Sequence, residues 1–220
     1  MRLTLLALLA SLLPAAEPRL PVPAPKGAVM LFDGRSLDGW DIDSHWKIVN
    51  GELLIDASVP HPRCRIHTKD NFDDVQLHLE YWLPLMADKT GQARANSGIF
   101  LQGRYEVQIL DTYGHPPEID GAGSLYKIAP PMVNASFAPE RWQSYDITYH
   151  GARFNGDEVV ARPRITVIQN GVKIHDNVEL QAFNTPNAKE TSYARTGPIV
   201  LQNHRCPVKF RNIWVVKAAR

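Results

Sequence analysis

Cysteine is scarce in this chain: Cys64 and Cys206 are the only two among 220 residues. That excludes a multi-bridge disulfide scaffold and a cysteine-rich metal cluster as the source of stability. Neither charge sign is in excess, with 24 Lys and Arg against 23 Asp and Glu and a formal net charge of +1. Such a balance offers no broad field to draw in nucleic acid or an anionic membrane surface. No glycine pattern of a dinucleotide site or a phosphate loop occurs, so no cofactor is expected and the chain cannot carry out nicotinamide redox chemistry itself. No stretch after the amino-terminal leader has the periodicity of a helix of three turns, and 17 Pro further disfavour a helical bundle. The one long apolar run, Leu3 to Leu13, is too short to span a bilayer.

That run follows Met1-Arg2 and precedes Pro14-Ala15-Ala16, the order of a basic start, an apolar core and small residues for cleavage. Residues 1–16 therefore read as a secretory signal peptide, and the expected location is periplasmic or secreted. Residues 17–27, EPRLPVPAPKG, read as an extended Pro-rich linker, and residues 28–220 as a single domain. In an oxidising compartment Cys64 and Cys206 can pair if the fold brings them together.

The domain is patterned for strands. WKIVNGELLID (46–56) and ITVIQNGVKIH (165–175) each place Asn-Gly between apolar alternations, which predicts hairpins with type I′ turns. VQLHLEYWL (75–83) alternates, with Val75, Leu77, Leu79, Tyr81 and Leu83 on one face and Gln76, His78, Glu80 and Trp82 on the other. In PIVLQNH (198–204), Val200, Gln202 and His204 share a face; in VKFRNIWVV (208–216), Val208, Phe210, Asn212, Trp214 and Val216 do. Residues 112–141 are Pro-rich with little periodicity, as expected of a functional rim or lid. About ten short strands without βαβ alternation imply an all-β fold, a two-sheet antiparallel β-sandwich.

The central stretch is NSGIFLQGRYEVQILD, 96–111, two strands turning at Gln102-Gly103. A two-residue turn there would set Ser97 opposite Gln108 and Ile99 opposite Glu106, with Asn96 facing the other way. Glu106 and Gln108 share a polar face, and apolar neighbours of Glu106 would raise its pKa toward values useful to a base. Asp111 falls on the opposite face unless a bulge resets the alternation.

Together LFDG with the following LDGW, NSGIF, YEVQILD, SLYKIAPP, Trp142 with QSYDI, TVIQNGV and PIVLQNHRCPVKFRNIW resemble the 3-keto-disaccharide hydrolase domain family, of the concanavalin A-like lectin and glucanase superfamily. The resemblance runs over about residues 29–217. It implies a jelly-roll sandwich and cleavage of glycosides already oxidised to a ketone at C3, with proton abstraction at C2, elimination of the C1 substituent and hydration. A separate sugar 3-dehydrogenase would supply that oxidised saccharide. Glu106 is then the expected base, and His204 or Asp111 the acid. Asp111 has an Asx-type loop cap as its alternative role. Asn96, Gln108 and Gln202 are candidate sugar contacts. Tyr126 and Lys127 would close from the long loop, with the Lys polarising a carbonyl, and Glu80 and Arg104 are further candidates on polar faces. No metal ligand set is assigned: Asp111, His115 and His204 could meet around an ion, but no tight ligand spacing supports one. His78, His115 and His175 read as surface or loop residues, and Trp142 as core. The EVQILD segment departs from the E-x-D-x-x-E of related glucanases at Gln108 and Asp111, which argues against ordinary retaining hydrolysis. A non-catalytic carbohydrate-binding module and a structural envelope domain are the rival readings.

Overall fold

The structure is a computed structural model that describes residues 18–42, 45–58 and 64–217; the expected signal peptide and the side chain of Cys64, and with it the pairing of the two cysteines, lie outside the described residues. Its strands in chain order are β1 (Val29–Phe32), β2 (Trp40–Asp41), β3 (Trp46–Val49), β4 (Glu52–Ile55), β5 (Cys64–Thr68), β6 (Val75–Trp82), β7 (Ser97–Leu101) and β8 (Tyr105–Ile109). After the long loop come β9 (Trp142–His150), β10 (Arg153–Asn155), β11 (Glu158–Ala161), β12 (Arg164–Gln169), β13 (Val172–Glu179), β14 (Val200–Asn203) and β15 (Lys209–Lys217). One antiparallel sheet runs β13-β12-β9-β6-β15-β4-β3, with β1 also on β15; a second runs β2-β5-β14-β7-β8; β10 and β11 form a separate hairpin.

Both Asn-Gly pairs make the expected turns. Val49 pairs with Glu52 and Gln169 with Val172, and the four turn residues all have positive φ, as a type I′ turn requires. Alternation then sorts the strands into two layers. Leu77, Leu79, Tyr81, Tyr145, Ile147 and Phe210 from the first sheet meet Ile66, Ile99, Leu101, Val107, Ile109 and Leu201 from the second in one core. Burying each such Leu or Ile stabilises the fold by roughly 1.5–3 kcal/mol.

Three expectations are corrected by local backbone geometry. The turn of the central hairpin has three residues, because Leu101 pairs with Tyr105. The register therefore shifts by one: Gly98, not Ser97, lies opposite Gln108, and Phe100, not Ile99, opposite Glu106. On β15 the alternation changes phase. Asn212 takes φ 48°, and against β6 the step from Arg211 to Trp214 spans only Glu80 to His78. After this bulge Ile213 and Val215 join Val208 and Phe210 in the core, while Arg211 and Asn212 both reach Glu80.

The third correction concerns the outer face of β6. His78 and Glu80 are fully buried there. The Pro-rich segment covers them: the Val22 N–H donates to Glu80 Oε1 at 2.8 Å, and Asn212 Nδ2 donates to the Val22 carbonyl at 2.7 Å. So this segment is pinned to the sheet rather than running free as a linker. His175 is likewise buried, its Nε2 2.8 Å from the Gly123 carbonyl. Trp142 is only half-buried, with the Arg211 guanidinium 4.0 Å from its ring centre. No helix among the described residues is long and apolar enough to cross a membrane.

Candidate active site

The alternation that turns Ile66, Leu201, Ile99 and Val107 into the core turns Arg65, Gln202, Gly98, Phe100, Glu106 and Gln108 outward from the second sheet. Register aligns them. Gln202 pairs with Arg65, Val200 with Phe100, and Phe100 with Glu106; continuing the β7–β14 register sets Gln202 beside Gly98. Two rows result, Arg65-Gln202-Gly98-Gln108 and Val200-Phe100-Glu106. A cavity of about 660 Å³ lies over them, walled by Gln92 and Asn96 on one side, Asn187 and Lys189 on another, with Tyr126 and His204.

Glu106 is fully buried. Its carboxyl lies over Gly98, where a β-carbon would stand 2.4 Å from Oε1, so the missing side chain makes room for it. Oε2 accepts a hydrogen bond from Asn187 Nδ2 at 2.8 Å, and Oε1 has no donor among the described residues. Burial pushes the Glu106 pKa up to about 7, outweighing the Asn187 hydrogen bond and the charge of Arg65. The Arg65 guanidinium sits 4.0 Å from the centre of the Phe100 ring and donates to the Asn187 carbonyl. Burial lowers its pKa against the pull of Glu106 and Glu190. Glu106 is the only carboxyl among the described residues lining this cavity.

The other end of the cavity is built from amides. A 3₁₀ turn, Gly91–Ala93, presents Gln92. Gln92 Nε2 donates to the Asp120 carbonyl at 2.8 Å, while its Oε1 accepts from Asn96 Nδ2 and Gln108 Nε2, each at 2.9 Å. Asn96 Nδ2 also reaches the Gln92 carbonyl at 2.8 Å, and Gln108 Nε2 the Asp120 carbonyl at 3.4 Å. Backbone carbonyls can only accept, so they fix which way each amide points. Asn96 Oδ1 and Gln108 Oε1 are left buried without a donor, as is Gln202 Oε1.

Comparison with known proteins places this arrangement in a family. The model of the 3-keto-alpha-glucoside-1,2-lyase-like domain matches residues 27–216. The chain belongs to that family. Among solved structures, this lyase-like domain is similar to a Parabacteroides distasonis protein provisionally described as a glycosyl hydrolase, at 36% identity, TM-score 0.76, covering 89% of this chain and 85% of that one. Two further proteins of that organism, described alike, share the fold: one at 16% identity with TM-score 0.65, covering 88% of this chain and 94% of its own, the other at 20% and 0.59, covering 87% and 99%. No curated protein matches.

Within the lyase-like domain, the cavity gathers Glu106, Gln108, Asn96, Gln202, Tyr126 and His204 of the residues singled out from sequence. Asn96 joins because the three-residue turn reverses its expected facing. Four candidates lie elsewhere. Asp111 sits beyond the end of β8, with Oδ2 2.7 Å from Arg94 Nε and Oδ1 accepting from the Tyr113 N–H at 3.3 Å; it caps the loop, and no bulge returns it to the face of Glu106. Glu80 belongs to the other sheet and is occupied by Arg211, Asn212 and Val22. Arg104 donates to the Ser192 carbonyl at 2.6 Å and so anchors a loop. Lys127 lies beside the cavity, its Nζ 5.4 Å from the centre of the Tyr126 ring.

Arg65, Gln92, Asn187 and Lys189 escaped the sequence reading. Asn187 and Lys189 belong to residues 181–198, a segment without periodicity. It is brought over Glu106 by Thr185, which donates to the Arg104 carbonyl from N at 2.9 Å and from Oγ1 at 3.0 Å and accepts from the Glu106 N–H at 3.2 Å. Arg65 carries a local signal, as a basic residue that shares its face of CRIHT with His67, but its partner Gln202 lies far along the chain. Gln92 has none.

Proposed function

We propose that this protein is an exported carbohydrate-active enzyme that cleaves 3-keto-glycosides by elimination, a separate sugar dehydrogenase having made the ketone. Family membership supports a carbohydrate-related function, and the amide-lined groove suits a ligand rich in hydroxyls. The observation that carries the chemistry is that, among the described residues, one carboxyl and no second lines the cavity. Ordinary glycosidases of either stereochemistry use two, about 5–10 Å apart. Elimination beside a ketone needs a single base, because the ketone already acidifies the proton on C2.

In this scheme Glu106, ionised near neutral pH, takes the C2 proton. Negative charge develops on the C3 oxygen, where Arg65 and Lys189 are the nearby cations. The C1–O bond breaks, and His204 gives a proton to the departing oxygen, leaving an unsaturated 3-keto sugar and a free alcohol or phenol. Addition of water across C1 and C2 then yields the free 3-keto sugar, so atoms balance without an oxidant or reductant. The test is to incubate purified protein with a 3-keto-glucoside carrying a nitrophenyl aglycone and with the unoxidised parent. Release from the keto form alone supports the reading; no release from it, with folded protein, overturns the reaction and favours a binding module.

A further inference from the structure

The cavity is polar in a directional sense. Register puts Asn96, then Gln202 and Gln108, ahead of the Glu106 row along the strands; the Arg65 guanidinium leaves its own row beside Gln202 to lie over Phe100, in the Glu106 row, where Asn187 meets both Arg65 and Glu106. At the first end three amide oxygens are buried and have no donor among the described residues, a condition that costs free energy until a ligand supplies hydrogens. Asn96 and Gln108 cannot relieve it by rotating their amides, since each NH₂ already donates to Gln92 oxygens or the Asp120 carbonyl. That end therefore accepts hydroxyl groups and repels a ketone, which has only lone pairs to offer. The second end holds the guanidinium of Arg65, and Lys189 lines the cavity from the same segment as Asn187; both are donors suited to a ketone oxygen.

We propose that the ring lies along the groove with C2 and the C3 ketone at the Glu106–Arg65 end and its free C4 and C6 hydroxyls on Asn96, Gln108 and Gln202. The protein then acts only on a terminal keto ring bearing neither substituent nor linkage at those positions. This assignment rests on the 3-keto reading for its orientation, but its hydroxyl recognition is testable without turnover. Mono-O-methyl ethers at C4 and at C6 of the 3-keto-glucoside would be compared with the parent for kcat/KM, and the matching ethers of the unoxidised glucoside for competitive binding by calorimetry. Each methyl should weaken binding and kcat/KM about tenfold or more, since it removes a donor from a buried acceptor. Ethers handled as well as the parent would overturn the assignment and leave the reaction standing. Discrimination in binding with no turnover of any keto-glycoside would sink the reaction and keep the recognition; no binding of either sugar would sink both.

Discussion

Glu106 and Gly98 act as one unit. The carboxyl occupies the space of an absent side chain, and a β-carbon at Gly98 would press on Oε1 at 2.4 Å and on Cδ at 3.1 Å. Gly98→Ala should thus keep the fold, because φ at this position lies outside the left-handed region. It should lower kcat/KM by about 10–100-fold, as expected when a reacting group is displaced by about an ångström; circular dichroism beside aglycone release would separate the two. Glu106→Gln should reduce release by about 10²–10⁴-fold while retaining the hydrogen bond from Asn187. It should also stabilise the protein above neutral pH. With a folded pKa of about 7 against 4.5, the native state holds a proton that the unfolded chain has lost, and ionising Glu106 costs up to about 3 kcal/mol. Urea melts of both proteins at pH 8 would reveal the difference. In the native enzyme, release should rise with pH through about 7 as the base ionises.

Two segments outside regular structure do work that their sequences conceal. Residues 181–198 bring Asn187 and Lys189 to the cavity, and Arg104 holds their far end through Ser192. Arg104→Ala should speed amide exchange around residues 186–195 and reduce kcat/KM with little loss of thermal stability, because the Thr185 bonds to the Arg104 backbone survive. The Pro-rich segment is tied by Glu80. Burial opposes ionisation of that carboxyl, but hydrogen bonds from His78, Asn212, Arg211 and Val22 hold its pKa down at about 2. Glu80→Ala should release residues 18–27 to limited proteolysis. Hairpins were legible from sequence wherever turn chemistry is local, as at Asn50-Gly51 and Asn170-Gly171. The Asn212 bulge was not, because a lone asparagine in a strand gives no sign of a left-handed backbone. The rows that assemble the site were hidden too, since β14 joins β5 across more than half the chain and β7 across nearly half, and one extra turn residue at 102–104 decided which side chains meet.

At the scale of the whole molecule, opposed titrations set where the sandwich is firmest. Asp74 is held at about 2 by Arg153, Gly151 and His150 against its burial, and Glu80 likewise; their stabilisation is present above about pH 4.5 and is lost as pH falls toward 2. Glu106 works in reverse, its contribution being lost between about pH 4.5 and 7. His78 follows it: burial lowers its pKa, but Asp146 and Glu80 raise it further, so its share is lost as pH climbs beyond about 6.5. Stability measured by urea across pH should therefore peak in mildly acidic solution, near pH 5, well below the pH at which the base is fully ionised. The alternation of apolar residues was enough to read the two layers of this sandwich, and a polar face at Glu106 was enough to locate its floor. What could not be read was that the polarity of the floor is set from a loop. The chain of amides begins at the main-chain carbonyl of Asp120, a group that every residue possesses. Replacing the Asp120 side chain should consequently leave recognition untouched, whereas inserting or deleting one residue nearby would move that carbonyl and turn a surface that receives hydrogens into one that gives them.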